Sequence, residues 1–78
     1  MSQSTYDTAV AARDTQIPIA NAAVSALANA KANYNREPTS ETYAAVVAAN
    51  ATAKTELQTL ATLNDNIQKI LTDDVVSE

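Results

Sequence analysis

Apolar side chains recur at alternating steps of four and three residues along most of this chain of 78 residues. Such spacing puts side chains on one face of an α-helix, so it predicts helices rather than strands. The stripe in the first half consists of Tyr6, Val10, Arg13, Ile17, Ala20, Val24, Leu27, Lys31 and Tyr34. The stripe in the second half consists of Tyr43, Val46, Ala49, Ala53, Leu57, Leu60, Asn64, Ile67 and Leu71. Together they predict an all-α fold of two amphipathic helices that pack as a coiled coil does.

The first helix is expected to cover about residues 5–35. Ser4, followed three residues later by Asp7, resembles a capping box. Pro18 lies inside this helix, where its missing N–H and its ring normally cost about 3 kcal/mol. Because the stripe keeps its phase across the proline, we favour one continuous helix that is kinked near Pro18. The alternative is a turn over residues 15–18 and a three-helix arrangement.

A loop is expected at residues 36–39. Pro38 disfavours helical geometry in the residue before it, and Thr39 or Ser40 can cap a following helix. That second helix should cover about residues 40–72. Acidic residues at its end oppose the helix dipole, so a frayed C-terminus is expected. The predicted fold is therefore a two-helix antiparallel hairpin that packs into a helical bundle or a larger assembly.

Both helices are expected to contribute large side chains to packing. In the second helix, Leu63 and Ile70 lie about 60 to 80° around from the stripe and begin another face. A single partner helix does not cover both faces, which favours contact with a further chain. The predicted packing and interface residues are Tyr6, Val10, Ile17, Val24, Leu27, Leu57, Leu60, Leu63, Ile67, Ile70 and Leu71.

Polar residues inside the stripes have two interpretations each. Arg13 and Lys31 can bury their stems while their charges reach water. Alternatively, Arg13 pairs with Asp65 across the hairpin and fixes its register. Asn64 is either a tolerated residue at the rim or a seam asparagine that selects alignment and oligomeric state. The predicted register residues are therefore Arg13, Asn64 and Asp65.

The chain is alanine-rich and carries little apolar bulk. Only 15 of its residues are Leu, Ile or Val, and none is Phe or Trp. A single domain of residues 1–78 buries only about 60% of its unfolded surface, and domains this small usually need disulfides, a metal or oligomerisation. With no cysteine and no histidine, disulfides and the common zinc sites are excluded. We therefore expect a homo-oligomer or a chain that docks on a larger protein assembly.

The missing residue types also argue against an enzyme. Without histidine or cysteine, the usual general bases and thiol nucleophiles are absent. Without glycine, the chain cannot form a nucleophile elbow or a phosphate-binding loop. We expect no catalytic residues, no cofactor, no metal site and no small-molecule substrate.

Charge and hydropathy bound the partners and the location. The net charge is -4, and the five basic residues are scattered, which argues against nucleic acid. The chain has few aromatic or basic anchors for a membrane surface. It begins without a classical signal peptide. We expect a soluble protein, in the cytoplasm or within a virion or other particle.

These observations predict a non-catalytic structural or assembly protein. Such a protein would be a small, acidic helical subunit that oligomerises or docks on a large multimeric particle, with a minor virion component as one case. The alternative is a small helical partner-binding protein, such as an inhibitor, an antitoxin or an adaptor. An acidic inhibitor would concentrate its charge in one patch. Here the acids are dispersed, which favours the assembly role.

Overall fold

The protein is a helical hairpin. The computed structural model describes the backbone of residues 3–77 and the side chains of residues 3–73. Helix α1 covers Gln3–Arg36 and helix α2 covers Ser40–Ser77, and the two pack against each other. This confirms the all-α fold of two paired helices. The hairpin measures 59 × 16 × 12 Å.

Helix α1 is continuous through Pro18. The three-helix alternative, with a turn over residues 15–18, is therefore wrong. Pro18 lies at an exposed position, where its ring does not displace the partner helix. The helix begins at Gln3, so Ser4 lies inside it rather than before it, and the Ser4 hydroxyl is not the predicted cap. The kink near Pro18 stays a prediction.

Three residues, 37–39, reverse the chain between the helices. Thr39 caps α2: the Thr42 N–H donates to Thr39 Oγ1 at 3.1 Å, and the Thr39 N–H donates to Thr42 Oγ1 at 2.9 Å. The Thr42 hydroxyl also donates to the Glu37 carbonyl at 2.8 Å. This exchange is a capping box in which threonine replaces the usual Glu or Gln. No residue in the described range has a positive φ, so the turn does not need glycine.

Replacing Thr39 with alanine is expected to lower the free energy of unfolding by about 1 kcal/mol, because the Thr42 N–H loses its acceptor. Urea denaturation followed by circular dichroism measures the change. Ser40→Ala is the matched control, since Ser40 was the other candidate cap, and it should change stability by less than about 0.5 kcal/mol. Equal losses from the two substitutions would contradict the assignment of the cap.

The packed faces of the two helices form an inner seam, defined by the residues that are buried or half-buried at alternating steps of three and four. In α1 the inner seam contains Tyr6, Ala9, Arg13, Gln16, Ala20, Ala23, Leu27, Ala30 and Tyr34. In α2 it contains Thr42, Val46, Ala49, Ala53, Glu56, Leu60, Leu63, Ile67 and Ile70. The buried apolar residues are Ala9, Ala20, Ala23, Ala53 and Ile67. The core is therefore mostly alanine.

The inner seam of α1 differs from the predicted stripe at every second position. Ile17 and Val24 are exposed, whereas Gln16 and Ala23, one residue earlier, are buried. Successive residues are about 100° apart around the helix, and the seam shares every other position with the stripe, so the packed face is rotated by roughly 50°. The rotation turns small side chains toward the partner helix and allows the backbones to approach closely.

The inner seam of α2 also differs from its predicted stripe by one residue at nearly every second position, in the same direction as in α1. The exposed residues are Leu57, Asn64 and Leu71, and the seam instead contains Glu56, Leu63 and Ile70. Leu63 and Ile70 thus belong to the face that meets α1, and Leu57 and Leu71 belong to the free face, which reverses their predicted roles. Among the other predicted packing residues, Ile67 is buried, Tyr6, Val10, Leu27 and Leu60 are half-buried, and Ile17 and Val24 are exposed.

Two tyrosines close the loop end of the hairpin. The rings of Tyr34 and Tyr43 lie with their centroids 5.9 Å apart and their planes tilted by 60°. Such a tilted arrangement is favourable for aromatic pairs beyond the apolar area that they bury. Tyr6, at the other end of the hairpin, is half-buried.

Candidate interaction surface

Large apolar side chains are concentrated on one side of the hairpin. Residues that directly follow an inner-seam residue lie on this side, which we call the apolar flank. Its large exposed members are Ile17, Val24, Tyr43, Val47, Leu57 and Leu71. Among the described residues, Ile19 is the one other large apolar side chain that is exposed. The exposed apolar surface is therefore a patch rather than a scatter of single residues.

A groove between the helices runs along the apolar flank. It has a volume of about 540 Å³, and both helices line it, with Val24 and Leu27 from α1 and Ala53 and Leu57 from α2. This shared lining places Val24 and Leu57 on the same side of the hairpin. The remaining lining residues are Asn50, Lys54, Gln58 and Ala61. The groove lining thus combines apolar side chains with the polar side chains of Asn50, Lys54 and Gln58, as protein interfaces do.

The opposite side of the hairpin, which we call the Ala/Thr flank, consists of residues that directly precede an inner-seam residue. Ile19 lies there between Ala12 and Ala26 of α1, and Thr52 and Thr59 of α2 belong to the same side. The hydroxyl groups of these two threonines donate to backbone carbonyls of α2, at 3.2 and 3.1 Å. This side offers small side chains and little apolar bulk for a partner.

A polar contact between the helices is made by Gln16 and Glu56. Gln16 is 7% exposed. Its Nε2 donates to the Glu56 carbonyl oxygen and to Glu56 Oε1, each at 3.0 Å. A buried polar group that keeps its hydrogen bonds opposes sliding of one helix along the other, because sliding would leave it unsatisfied. Sequence reasoning missed both residues because each directly precedes a larger apolar residue that was assigned to the stripe.

The predicted register residues occupy other environments. Arg13 is part of the inner seam, but its guanidinium binds Asp14 of the same helix, with Nε and Nη2 each 3.0 Å from Asp14 Oδ1. Asn64 and Asp65 are exposed. The structure therefore pairs Arg13 with Asp14 instead of Asp65, since adjacent side chains reach each other without crossing the hairpin. Asn64 lies on the apolar flank.

Two further searches of the structure bear on chemistry. Over residues 3–73, no group of three or more His, Cys, Asp or Glu side chains is arranged to hold a metal ion. Neither helix, within its described length, has an apolar segment that is long enough to cross a membrane. No family model, no curated protein and no solved structure matches the chain.

Proposed function

We propose that this protein is a non-catalytic structural or assembly subunit, and that its apolar flank packs against another polypeptide. The observation that supports this most directly is that small apolar side chains are buried between the helices while larger ones are exposed. Four of the five buried apolar residues are alanines, while Ile17 and Leu57 remain 38% and 46% exposed on the apolar flank. A chain that functioned alone would gain stability by burying the larger side chains.

The energetics favour an additional partner. Burying one methyl group contributes about 0.8 kcal/mol, whereas ordering the backbone of one residue costs about 1 to 2 kcal/mol. Alanine burial therefore does not offset the cost of ordering two long helices. Ile67 is the one large side chain among the buried apolar residues of the described region. Covering the apolar flank would add several side chains of that size to the buried surface.

The shape of the hairpin supports the same proposal. Its radius of gyration is 17.6 Å, compared with about 11.5 Å for a compact domain of this length. An elongated rod of two helices exposes a large surface for its mass and presents it along its whole length. This geometry suits a subunit that completes a bundle or lines a larger particle.

The finer proposal is that the assembly is a large multimeric particle, with a minor virion component as one case, and that the chain works in the cytoplasm or within the particle. Composition supports the non-catalytic character of such a subunit, because an acidic, alanine-rich helical chain without histidine, cysteine or glycine has few routes to catalysis. We propose a protein partner, with no role for nucleic acid, membranes or a small-molecule substrate.

The groove on the apolar flank also supports a second candidate function. Its volume of about 540 Å³ and its largely apolar lining suit one amphipathic helix of a single partner. An inhibitor, an antitoxin or an adaptor would use the flank in that way. The dispersed acidic residues favour assembly over this role.

Circular dichroism combined with light scattering across a concentration series tests the proposed function. We expect helicity and mass to rise together, because association buries the apolar flank. A helix-poor monomer at all concentrations that gains helix only with a defined partner protein would favour the second candidate. A stable helical monomer that melts cooperatively at high dilution would contradict both.

A further inference from the structure

We propose that the apolar flank is the contact surface of a homodimer, in which two copies of the hairpin lie face to face and antiparallel as a four-helix bundle. This inference rests on the proposed assembly function and names the partner as a second copy of the chain. Four observations carry it: the excess surface of one hairpin, the length of the apolar flank, the position of its central residues and the distribution of its charges.

The exposed area of one hairpin matches what a dimer requires. The accessible surface is 5441 Å², whereas a compact monomer of 8.2 kDa exposes about 4,500 Å². The excess of about 900 Å² is close to the roughly 800 Å² that each partner buries in a stable interface of standard size. A second hairpin of the same length and width covers this surface from end to end.

The apolar flank is long enough for such an interface. Tyr43 and Leu71, its outermost large residues on α2, are separated by about 42 Å at the helical rise of 1.5 Å per residue. The hairpin itself is 59 Å long and 16 Å wide. A short partner helix would leave much of this strip in water. A second hairpin presents an apolar strip of equal length.

The contact between Gln16 and Glu56 shows which residues of the two helices lie side by side in the middle of the apolar flank. The hydrogen bonds from Gln16 to Glu56 bring these residues to one level along the hairpin. Ile17 and Leu57, which follow them directly, are therefore level with each other on the apolar flank. An interface between identical surfaces needs a twofold axis, and residues on that axis meet their own copies. We place the axis beside Ile17 and Leu57.

An axis at that level makes the flank self-complementary. In α1, Val10 and Val24 are each seven residues from Ile17, so each faces the other across the antiparallel interface. In α2, Tyr43 and Leu71 are each fourteen residues from Leu57, so they face each other in the same way. With the exception of Val47, the large apolar residues of the flank are thus spaced symmetrically about the proposed axis.

The charges nearest the two ends of the apolar flank favour the antiparallel orientation. Lys31 follows the seam residue Ala30 near the loop end, and Asp7 follows the seam residue Tyr6 near the other end. In a parallel face-to-face dimer, α1 would lie over α2 of the partner, and Lys31 and Asp7 of the two copies would stay at opposite ends. The antiparallel dimer brings Lys31 of one copy toward Asp7 of the other. Opposite charges at the edge of an interface select its orientation more than they add affinity.

Neighbouring isoleucines provide a matched test of the interface. Ile17 is 38% exposed on the apolar flank, and Ile19 is 43% exposed on the Ala/Thr flank. In sedimentation velocity on the full chain, we expect a dimer with twice the 8.2 kDa mass of one chain. Ile17→Asp should weaken dimerisation by about 100-fold or more, because both copies lose an apolar contact and two carboxylates meet. Ile19→Asp should change it by less than about threefold.

Cysteine cross-linking tests the orientation without disturbing the fold. The chain has no cysteine, so an introduced residue is unique. In the antiparallel dimer, Ile17→Cys should form a disulfide with its own copy under mild oxidation, and Ile19→Cys should not. In a parallel face-to-face dimer, α1 would lie over α2 of the partner. Copies carrying Ile17→Cys would then cross-link to copies carrying Leu57→Cys and not to each other.

Each contrary result overturns a different part of the inference. A helical dimer that Ile17→Asp leaves intact, or that Ile19→Asp disrupts equally, would move the interface to another surface and leave the assembly function standing. Cross-linking of the parallel kind would refute the orientation. A chain that remains monomeric and helix-poor would exclude the homodimer. A stable helical monomer would refute both the homodimer and the proposed assembly function.

Discussion

The Ile67→Asp variant should fail to fold into the hairpin. Ile67 is 6% exposed and is the one large member of the buried apolar core described above. The substitution removes about 1.5 to 3 kcal/mol of apolar burial. It also places a carboxylate at a buried position, where the lost hydration costs several kcal/mol more. The total exceeds the stability that a domain of this size can hold.

Circular dichroism at a fixed protein concentration measures the effect, because association contributes to apparent stability. We expect the helical signal of Ile67→Asp to fall to that of an unfolded chain. Ile19→Asp is the control, since it makes the same chemical change at a residue that is 43% exposed on the Ala/Thr flank. An Ile67→Asp protein with unchanged helicity and a cooperative melt would show that Ile67 is not in the core.

The second large effect is expected from a side chain that is too big for the inner seam. Ala20 is 1% exposed and lies on the face of α1 that packs against α2, so a larger side chain there has no solvent to extend into. Ala20→Leu should push the helices apart and lower the free energy of unfolding by about 2 to 3 kcal/mol. For a domain of this length, that corresponds to a fall in melting temperature of about 10 to 20 °C.

Ala22→Leu is the matched control for this overpacking experiment. Ala22 lies two residues away in the same helix and is exposed on the Ala/Thr flank. Its substitution should shift the free energy of unfolding by less than about 0.5 kcal/mol, because the added side chain extends into water. If Ala20→Leu instead raised the melting temperature, the helices would have to be far enough apart to accept leucine, and the close alanine packing would be refuted.

The overall fold was predictable because it depends on residue spacing and on turn residues, and both stay the same when a helix face is assigned one residue away. Alternating steps of three and four predicted both helices, and Pro38 with Thr39 placed the turn. The phase of the stripe across Pro18 favoured the continuous helix that the structure contains. Each of these inferences used local preferences of the backbone, which tertiary contacts did not override.

The rotation of each helix was not predictable from the same patterns. Large apolar side chains define the predicted stripe, which therefore contains Ile17 and Leu57. Packing instead turned Gln16 and Glu56 inward, because close backbone approach and a satisfied polar contact compensate for the smaller apolar area. The predicted stripe and the inner seam differ by one residue at nearly every second position, and both contain apolar side chains. Spacing alone therefore does not distinguish them. The free face could be located only once the seam between the helices was known.

The tilted pair of Tyr34 and Tyr43 gives the hairpin a built-in optical reporter. The chain has no tryptophan, so its intrinsic fluorescence comes from three tyrosines alone. Two of them touch at the loop end, and Tyr6 lies half-buried at the open end. Separation of the helices at the loop end would therefore change the fluorescence of Tyr34 and Tyr43. Separation at the open end would change that of Tyr6. Single Tyr→Phe variants could assign the signals and show from which end the two helices separate.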